Sequence, residues 1–245
     1  MMTRDLVAAA ASNNASWCDA VCRSHGHPGE FSEALWLNRG PVPRFYPNVV
    51  TLTPEGVARQ LEALSALVLP GHWGVKDSFA TLDLAPLGFR ELFSAQWLHL
   101  PRSGPAPTPS SGVRWARVQD ARALASWEAA WSGQPESARP DAAHALFRAD
   151  LLEDASTTFL AAYLGDAVVA GAIAYRAAGV VSMSNTFLTE GAPGVLRAEL
   201  LGQLAGAFPG LPLVGYEHGD ELAAWCALGF EPLGPLRVWL KTPPP

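Results

Sequence analysis

VSMSNTFLTEGAPGVLRAELLGQLAGAFPG, residues 181–210, decides how this chain folds. Val181 to Thr189 is rich in β-branched and aromatic residues and reads as a strand. Glu190 to Gly194 is a Gly/Pro loop, and Val195 to Phe208 is an amphipathic helix. Downstream, Leu211 to Glu217 is a second strand. It leads into a short helix that ends in Leu228-Gly229-Phe230, and Leu233 to Lys241 is the last strand. Upstream, Thr157–Leu164, Ala167–Arg176 and Gly179–Leu188 form three strands, with a hairpin turn at Gly165-Asp166. Before them stand a strand, Val113–Val118, and two helices, Asp120–Trp131 and Asp141–Leu152.

One strand, two helices, three antiparallel strands, then helix, strand, helix and strand resembles the GNAT superfamily of N-acyltransferases. The resemblance covers residues 113–245. It implies an α/β fold: a mixed, largely antiparallel sheet flanked by helices. It also implies an N-acyltransferase that takes acetyl-CoA or another acyl-CoA as co-substrate and an amine of a small molecule or peptide as acceptor.

Acyl-CoA carries a pyrophosphate. A helix N-terminus offers unpaired N–H groups and the positive end of a dipole, which together suit an anion. The superfamily's loop has the form Gln/Arg-x-x-Gly-x-Gly/Ala. Here Glu190-Gly191-Ala192-Pro193-Gly194-Val195-Leu196 carries two glycines out of that register. An acid stands first, and Pro193 has no N–H to give. Gly191 and Gly194 still allow close backbone approach, and Arg197 in the first helical turn suits a phosphate. The resemblance therefore assigns acyl-CoA to Phe187, Leu188, Gly191, Ala192, Gly194, Val195 and Arg197. A backbone N–H of Phe187 or Leu188 would serve the thioester carbonyl. The same residues also read as a plain strand-to-helix turn with Pro near the helix start.

Acyl transfer to an amine needs a base for the amine, a donor for the carbonyl oxygen and a proton for the departing thiolate. The resemblance puts a general base on the strands lining the cleft, and Glu217 is the first candidate. His218 beside it is the second candidate, since imidazole can take or give a proton. Glu217-His218-Gly219-Asp220 also reads as a polar turn with Asp220 as the cap of the next helix. The superfamily's acid is often a Tyr four residues before the Gly of the Leu-Gly-Phe ending. Trp225 stands there, and an indole N–H cannot protonate a thiolate. Tyr216 is the substitute. Asn185, mid-strand, either orients a substrate or ties two strands where they part.

Pro101 to Gly112 is a Pro/Ser-rich linker. It separates residues 1–100 from the GNAT-like unit, residues 113–245. The first unit repeats the end of the second. Pro47–Thr53 echoes Ser184–Thr189, a helix Thr53–Leu69 follows, and His72–Phe79 sits where Leu211–Glu217 does. Leu87-Gly88-Phe89 mirrors Leu228-Gly229-Phe230, and Glu91–Leu100 mirrors Glu231–Leu240. Asn48 and Asn185 are 137 residues apart, Gly88 and Gly229 are 141 apart, and Trp97 and Trp239 are 142 apart. The reading is a tandem of GNAT-like units whose first copy is truncated and lacks a three-strand meander. Its Thr53-Pro54-Glu55-Gly56 reads as a capped helix start with a carboxylate at the dipole, so no acyl-CoA is expected there.

The 245 residues are 49% hydrophobic and 16% charged, which suits a buried core. A net charge of −6 without basic runs argues against nucleic acid, and no apolar run is long enough for a membrane span. Three cysteines, an odd number, fit a reducing cytoplasm. Cys18, Cys22, His25 and His27 lack the distant second pair of a zinc site, so no metal is expected and the cysteines read as core. Most of the nine Trp fall at apolar periodic positions. Two rivals remain: a GNAT-like binding protein without turnover, and a scaffold whose duplicated units form a homodimer.

Overall fold

The computed structural model describes residues 3–101, 112–134, 144–192 and 194–242. In chain order the elements are α1 (Thr3–Ser24), β1 (Glu30–Phe31), β2 (Leu35–Leu37), β3 (Val49–Thr51), α2 (Val57–Ser65), β4 (Trp73–Asp77) and β5 (Phe89–Leu100). Then come β6 (Arg114–Arg117), α3 (Ala121–Trp131), β7 (Thr157–Leu164), β8 (Ala167–Ala177), β9 (Val180–Leu188), α4 (Val195–Ala207), β10 (Leu213–Glu217), α5 (Gly219–Ala227) and β11 (Glu231–Lys241). Among the described residues no helix is long and apolar enough to cross a membrane.

Two compact units result: Met1–His99 with Tyr216–Pro245, and Leu100–Gly215. This division differs from the one drawn at the proline-rich linker. The cause is β11, which pairs antiparallel with both β4 and β5 of the first hundred residues. The linker's residues 102–111 lie outside the described residues.

In the second unit β6, β7, β8 and β9 are antiparallel neighbours in sequence order, and β10 joins β9 in parallel across the α4 crossover. Asp120 caps α3, its Oδ1 accepting the Ala123 N–H at 2.8 Å. Gly133, at φ +67, ends it: its N–H reaches the Ala130 carbonyl and the Gln134 N–H reaches that of Ala129. The helix expected over Asp141–Leu152 is only a 3-10 turn, Ala149–Leu152, among the described residues. Buried Glu128 of α3 takes the backbone N–H groups of Leu146 and Phe147 at 2.9 and 3.0 Å, donors that a helix would have used internally. Residues 141–143 lie outside the described residues.

In the first unit the strand order is β1-β2-β3-β4-β11-β5. β1 and β2 complete a miniature antiparallel meander with β3, which the sequence reading did not find. At two and three residues they are too short to show alternation. α1 runs unbroken through Asn13 and Asn14, which lie inside it and are buried. α2 starts at Val57, with Gly56 in the left-handed region at its N-cap, not at Thr53. Thr53–Glu55 instead forms a side-chain turn, Glu55 N–H to Thr53 Oγ1 at 3.2 Å, and Glu55 pairs with Arg4.

Both Leu-Gly-Phe segments end in one geometry. Gly88 N–H reaches Ala85 O and Phe89 N–H reaches Leu84 O; Gly229 N–H reaches Cys226 O and Phe230 N–H reaches Trp225 O. These are Schellman endings, with Gly88 at φ +81 and Gly229 at φ +97. The strands that follow, β5 and β11, pair in a register that is symmetric about the offset between these endings. Under the 141-residue offset between the two glycines, Ala95 lies opposite its own counterpart, Leu236. Ser94↔Arg237 maps onto Gln96↔Pro235, and Phe93↔Val238 maps onto Trp97↔Gly234. The bulges match too: the ladder skips Leu233 on one strand and its counterpart Leu92 on the other.

Candidate functional site

β9 is held by β8 along its length but by β10 only at its start. The parallel ladder joins Val181 to Leu213 and Ser182 to Val214, and among the described residues it has no further pair. Two features turn β9 away. Met183 lies over Gly215, where a Cβ would come within 2.8 Å of its Cε and Cγ. Next comes a bulge: Gly171 faces Phe187 and Ile173 faces Ser184, so β9 carries one residue too many, and Asn185 takes φ +52. Asn185 is thus where the strand leaves its partner. Beyond the bulge Thr189 N–H reaches Val169 O of β8 at 2.9 Å. Successive N–H groups alternate between a strand's two edges, so Leu188, not Phe187, points its N–H to the edge away from β8.

Glu190–Gly194 follows as a turn, with Ala192 N–H on Thr189 O and Gly191 at φ +76. Pro193 lies outside the described residues. Gly194 is the N-cap of α4 and has no side chain to occupy the helix N–H groups, and the first turn holds no acid. A Cβ at Gly191 or Gly194 would meet nothing within 4 Å, so both face open space. Val195 is exposed, and Arg197 is half-buried in the first turn. Glu199, one turn on, is buried on the inner face and accepts Trp115 Nε1–H at 2.9 Å. A helix start bare of carboxylate, with open backbone and an arginine, fits a pyrophosphate.

In the first unit β3 and β4 are joined by a short parallel ladder with one bond before it and one side-chain bond after it. Asn48 N–H reaches Gly74 O at 2.9 Å, Val49 and Val50 pair with Val75 and Lys76, and Ser78 N–H reaches Thr51 Oγ1. The β3–β4 ladder itself ends at Val50 and Lys76, and Thr51 is joined beyond it by its side chain. The sequence reading placed a carboxylate in the first turn of this helix, but α2 has none there.

The three catalytic candidates belong to the first unit. Tyr216 is half-buried; its oxygen accepts from Lys76 Nζ at 3.0 Å, and its ring lies edge-on to Trp97 with centroids 5.5 Å apart. Lys76 is 5% exposed and also donates to Asn14 Oδ1 of α1 at 2.9 Å. Sequence reading missed Lys76 and Asn14. The signal was there: a lysine inside an apolar strand and two asparagines inside an alanine-rich helix. Glu217 is half-buried at the end of β10. His218 is exposed, with its ring 5.5 Å from that of Phe93. It takes the N-cap position of α5 without a side-chain cap bond, so Asp220 is not the cap but a first-turn acid. Trp225 is fully buried against Phe230, which makes it core.

Cys18 and Cys22 face Trp36 and Val50 in the core. Burial pushes their thiols up to about 11 and about 12.

A cavity of about 730 Å³ lies in the second unit, between the end of α3, the β7–β8 turn and the end of β9. Trp131, Val168, Phe187 and Leu188 wall it, and Asp166 and Glu190 also line it. Glu190 therefore faces this cavity.

No protein-family model and no curated protein matches the sequence. Solved structures do. A GCN5-related N-acetyltransferase from Kribbella flavida is 17% identical with a TM-score of 0.63 over 96% of both chains. An acetyltransferase of the GNAT family from Novosphingobium aromaticivorans is 13% identical, TM-score 0.56, over 93% of this chain and 99% of that one. A tandem GNAT protein from the clavulanic acid biosynthesis pathway is 14% identical, TM-score 0.53, over 86% and 83%. With the opened β9–β10 pair and the bare N-terminus of α4, these likenesses establish that the chain has the GNAT fold.

Proposed function

We propose that the chain is an acyl-CoA-dependent N-acyltransferase acting on an amine. The parting of β9 from β10 after two residue pairs carries the reading, because it frees a strand edge beside a helix N-terminus that suits a pyrophosphate. Acyl-CoA, when bound, supplies an activated thioester. Arg197 and the N–H groups at the start of α4 from Val195 hold its phosphates, the open backbone at Gly191 and Gly194 lets them approach, and Ala192 shapes the turn between them. The Leu188 N–H donates to the carbonyl oxygen as negative charge develops there. Glu217, with His218 beside it, accepts the amine's proton. A C–N bond forms and the C–S bond breaks. Tyr216 gives its proton to the sulfur, while Lys76 donates to the phenol oxygen and leaves the phenol's own proton free.

Calorimetric titration with acetyl-CoA and desulfo-CoA tests this. Wild type should bind both, and Arg197→Glu should bind at least about tenfold more weakly, since it puts repulsion where a charge-assisted bond stood. Glu217→Gln should keep binding and lose about 10²-fold or more in turnover. No binding by the wild type at millimolar ligand would remove the transferase reading. Binding without turnover for any amine would favour the rival, a binding protein, to which the buried Trp225 at the usual acid position already points.

A further inference from the structure

The cavity of the second unit has a chemistry of its own. Its walls are aromatic and aliphatic, and about 730 Å³ is room for a small organic molecule. Trp131 stacks on fully buried Trp127, planes 11° apart, and Trp127 meets Phe187 edge-on at 5.2 Å. The two aromatic walls are therefore fixed by the core and not free to collapse. Asp166, on the β7–β8 turn, and Glu190, just past β9, are exposed and make no ion pair or hydrogen bond among the described residues. No Lys, Arg or His is among the described residues that line the space. Two exposed carboxylates beside aromatic faces form a setting that attracts a positive charge and repels a negative one.

We propose that this cavity takes the acceptor, and that the acceptor is a small ammonium compound with an aromatic or aliphatic body. The assignment rests on the acyl-transfer reading above. Phe187 and Leu188 tie the two together, since they line the cavity and belong to the strand whose edge is open. Asp166 and Glu190 select the charged end by long-range attraction, and Trp131 and Phe187 hold the apolar body. The acid at position 190, out of place in a loop meant for phosphate, then has a role: it serves the amine and not the anion.

Binding of 2-phenylethylammonium is measured by calorimetry and by quenching of tryptophan fluorescence, with 2-phenylethanol and 3-phenylpropionate as comparators. The ammonium compound should bind at least about tenfold more tightly than the alcohol, and the carboxylate should not bind. Asp166→Asn with Glu190→Gln should cost about tenfold for the ammonium compound and nothing for the alcohol, with the far-ultraviolet spectrum unchanged. Equal binding of alcohol and ammonium, preference for the carboxylate, or no ammonium binding at millimolar concentration overturns the proposal. Acetyl-CoA is titrated separately. Ammonium binding without acetyl-CoA binding sinks the transferase reading and leaves the cation site standing; the reverse sinks the cation site alone.

Discussion

At the scale of single residues, burial decides chemistry. Cys18 and Cys22 are buried, and their thiols are held up to about 11 and about 12, chiefly by desolvation, so both stay protonated at neutral pH. Cys226 is half-buried. A thiol reagent such as dithiobis(nitrobenzoate) should therefore titrate only Cys226 in the native protein and all three cysteines in guanidinium. Prompt native reaction of Cys18 or Cys22 would contradict their place in the core. His99 is buried on β5, and desolvation lowers its value from 6.5, with Glu231 opposing. The fold thus prefers neutral His99. The stability linked to it is complete above the unfolded value near 6.5 and is lost as the pH falls through the lower folded value. The melting temperature of wild type should drop between pH 7.5 and pH 5 by more than that of His99→Gln, and equal drops would remove His99 as the cause.

At the scale of elements, the bulge in β9 depends on a missing side chain across the ladder. A Cβ at Gly171 would meet Leu160 O and Phe187 Cε1, each at 2.7 Å, and lie closer still to Trp127 Nε1. Trp127 is fixed by a 2.8 Å bond from Nε1 to Leu160 O, so it has little room to yield. Gly171→Ala should destabilise by about 1–3 kcal/mol through overpacking. In chemical denaturation the midpoint should fall without a change in slope, and an unchanged midpoint would show that the bulge does not need this glycine. The strands, the hairpin and most helices of the second unit could be read from the sequence because their signals are local: apolar spacing along α3 and α4, and Gly165 in a hairpin turn. α2 was misplaced because Thr53, Pro54 and Glu55 imitate a helix start, while Gln60 Nε2 bonds back to the Thr53 and Glu55 carbonyls and holds a turn there.

At the scale of the molecule, the last strand closes a loop in the chain that the linker conceals. β11 lies between β4 and β5, so residues 113–245 expressed alone would expose both its edges. That fragment should be insoluble or unfolded by circular dichroism, and coexpression with residues 1–100 should recover soluble protein. A folded, monomeric fragment would show that β11 has another home. The two-fold register of β5 with β11 shows why such an arrangement holds. Strands with matching registers and matching bulges are complementary by symmetry, so each presents the other with the edge it needs.

The sequence by itself determined the strand and helix order from Thr157 to Lys241, the glycine loop and the matching Leu-Gly-Phe endings. Each of these is written in the spacing and turn chemistry of neighbouring residues. Only the tertiary structure decided where β11 goes, that Lys76 meets Asn14 and Tyr216, and that Glu190 faces a cavity. The physical reason is that alternation makes a strand but does not name its partner. Backbone hydrogen bonds are alike for every neighbour, and the burial of a lysine or the direction of a glutamate is set by side chains far away in the chain.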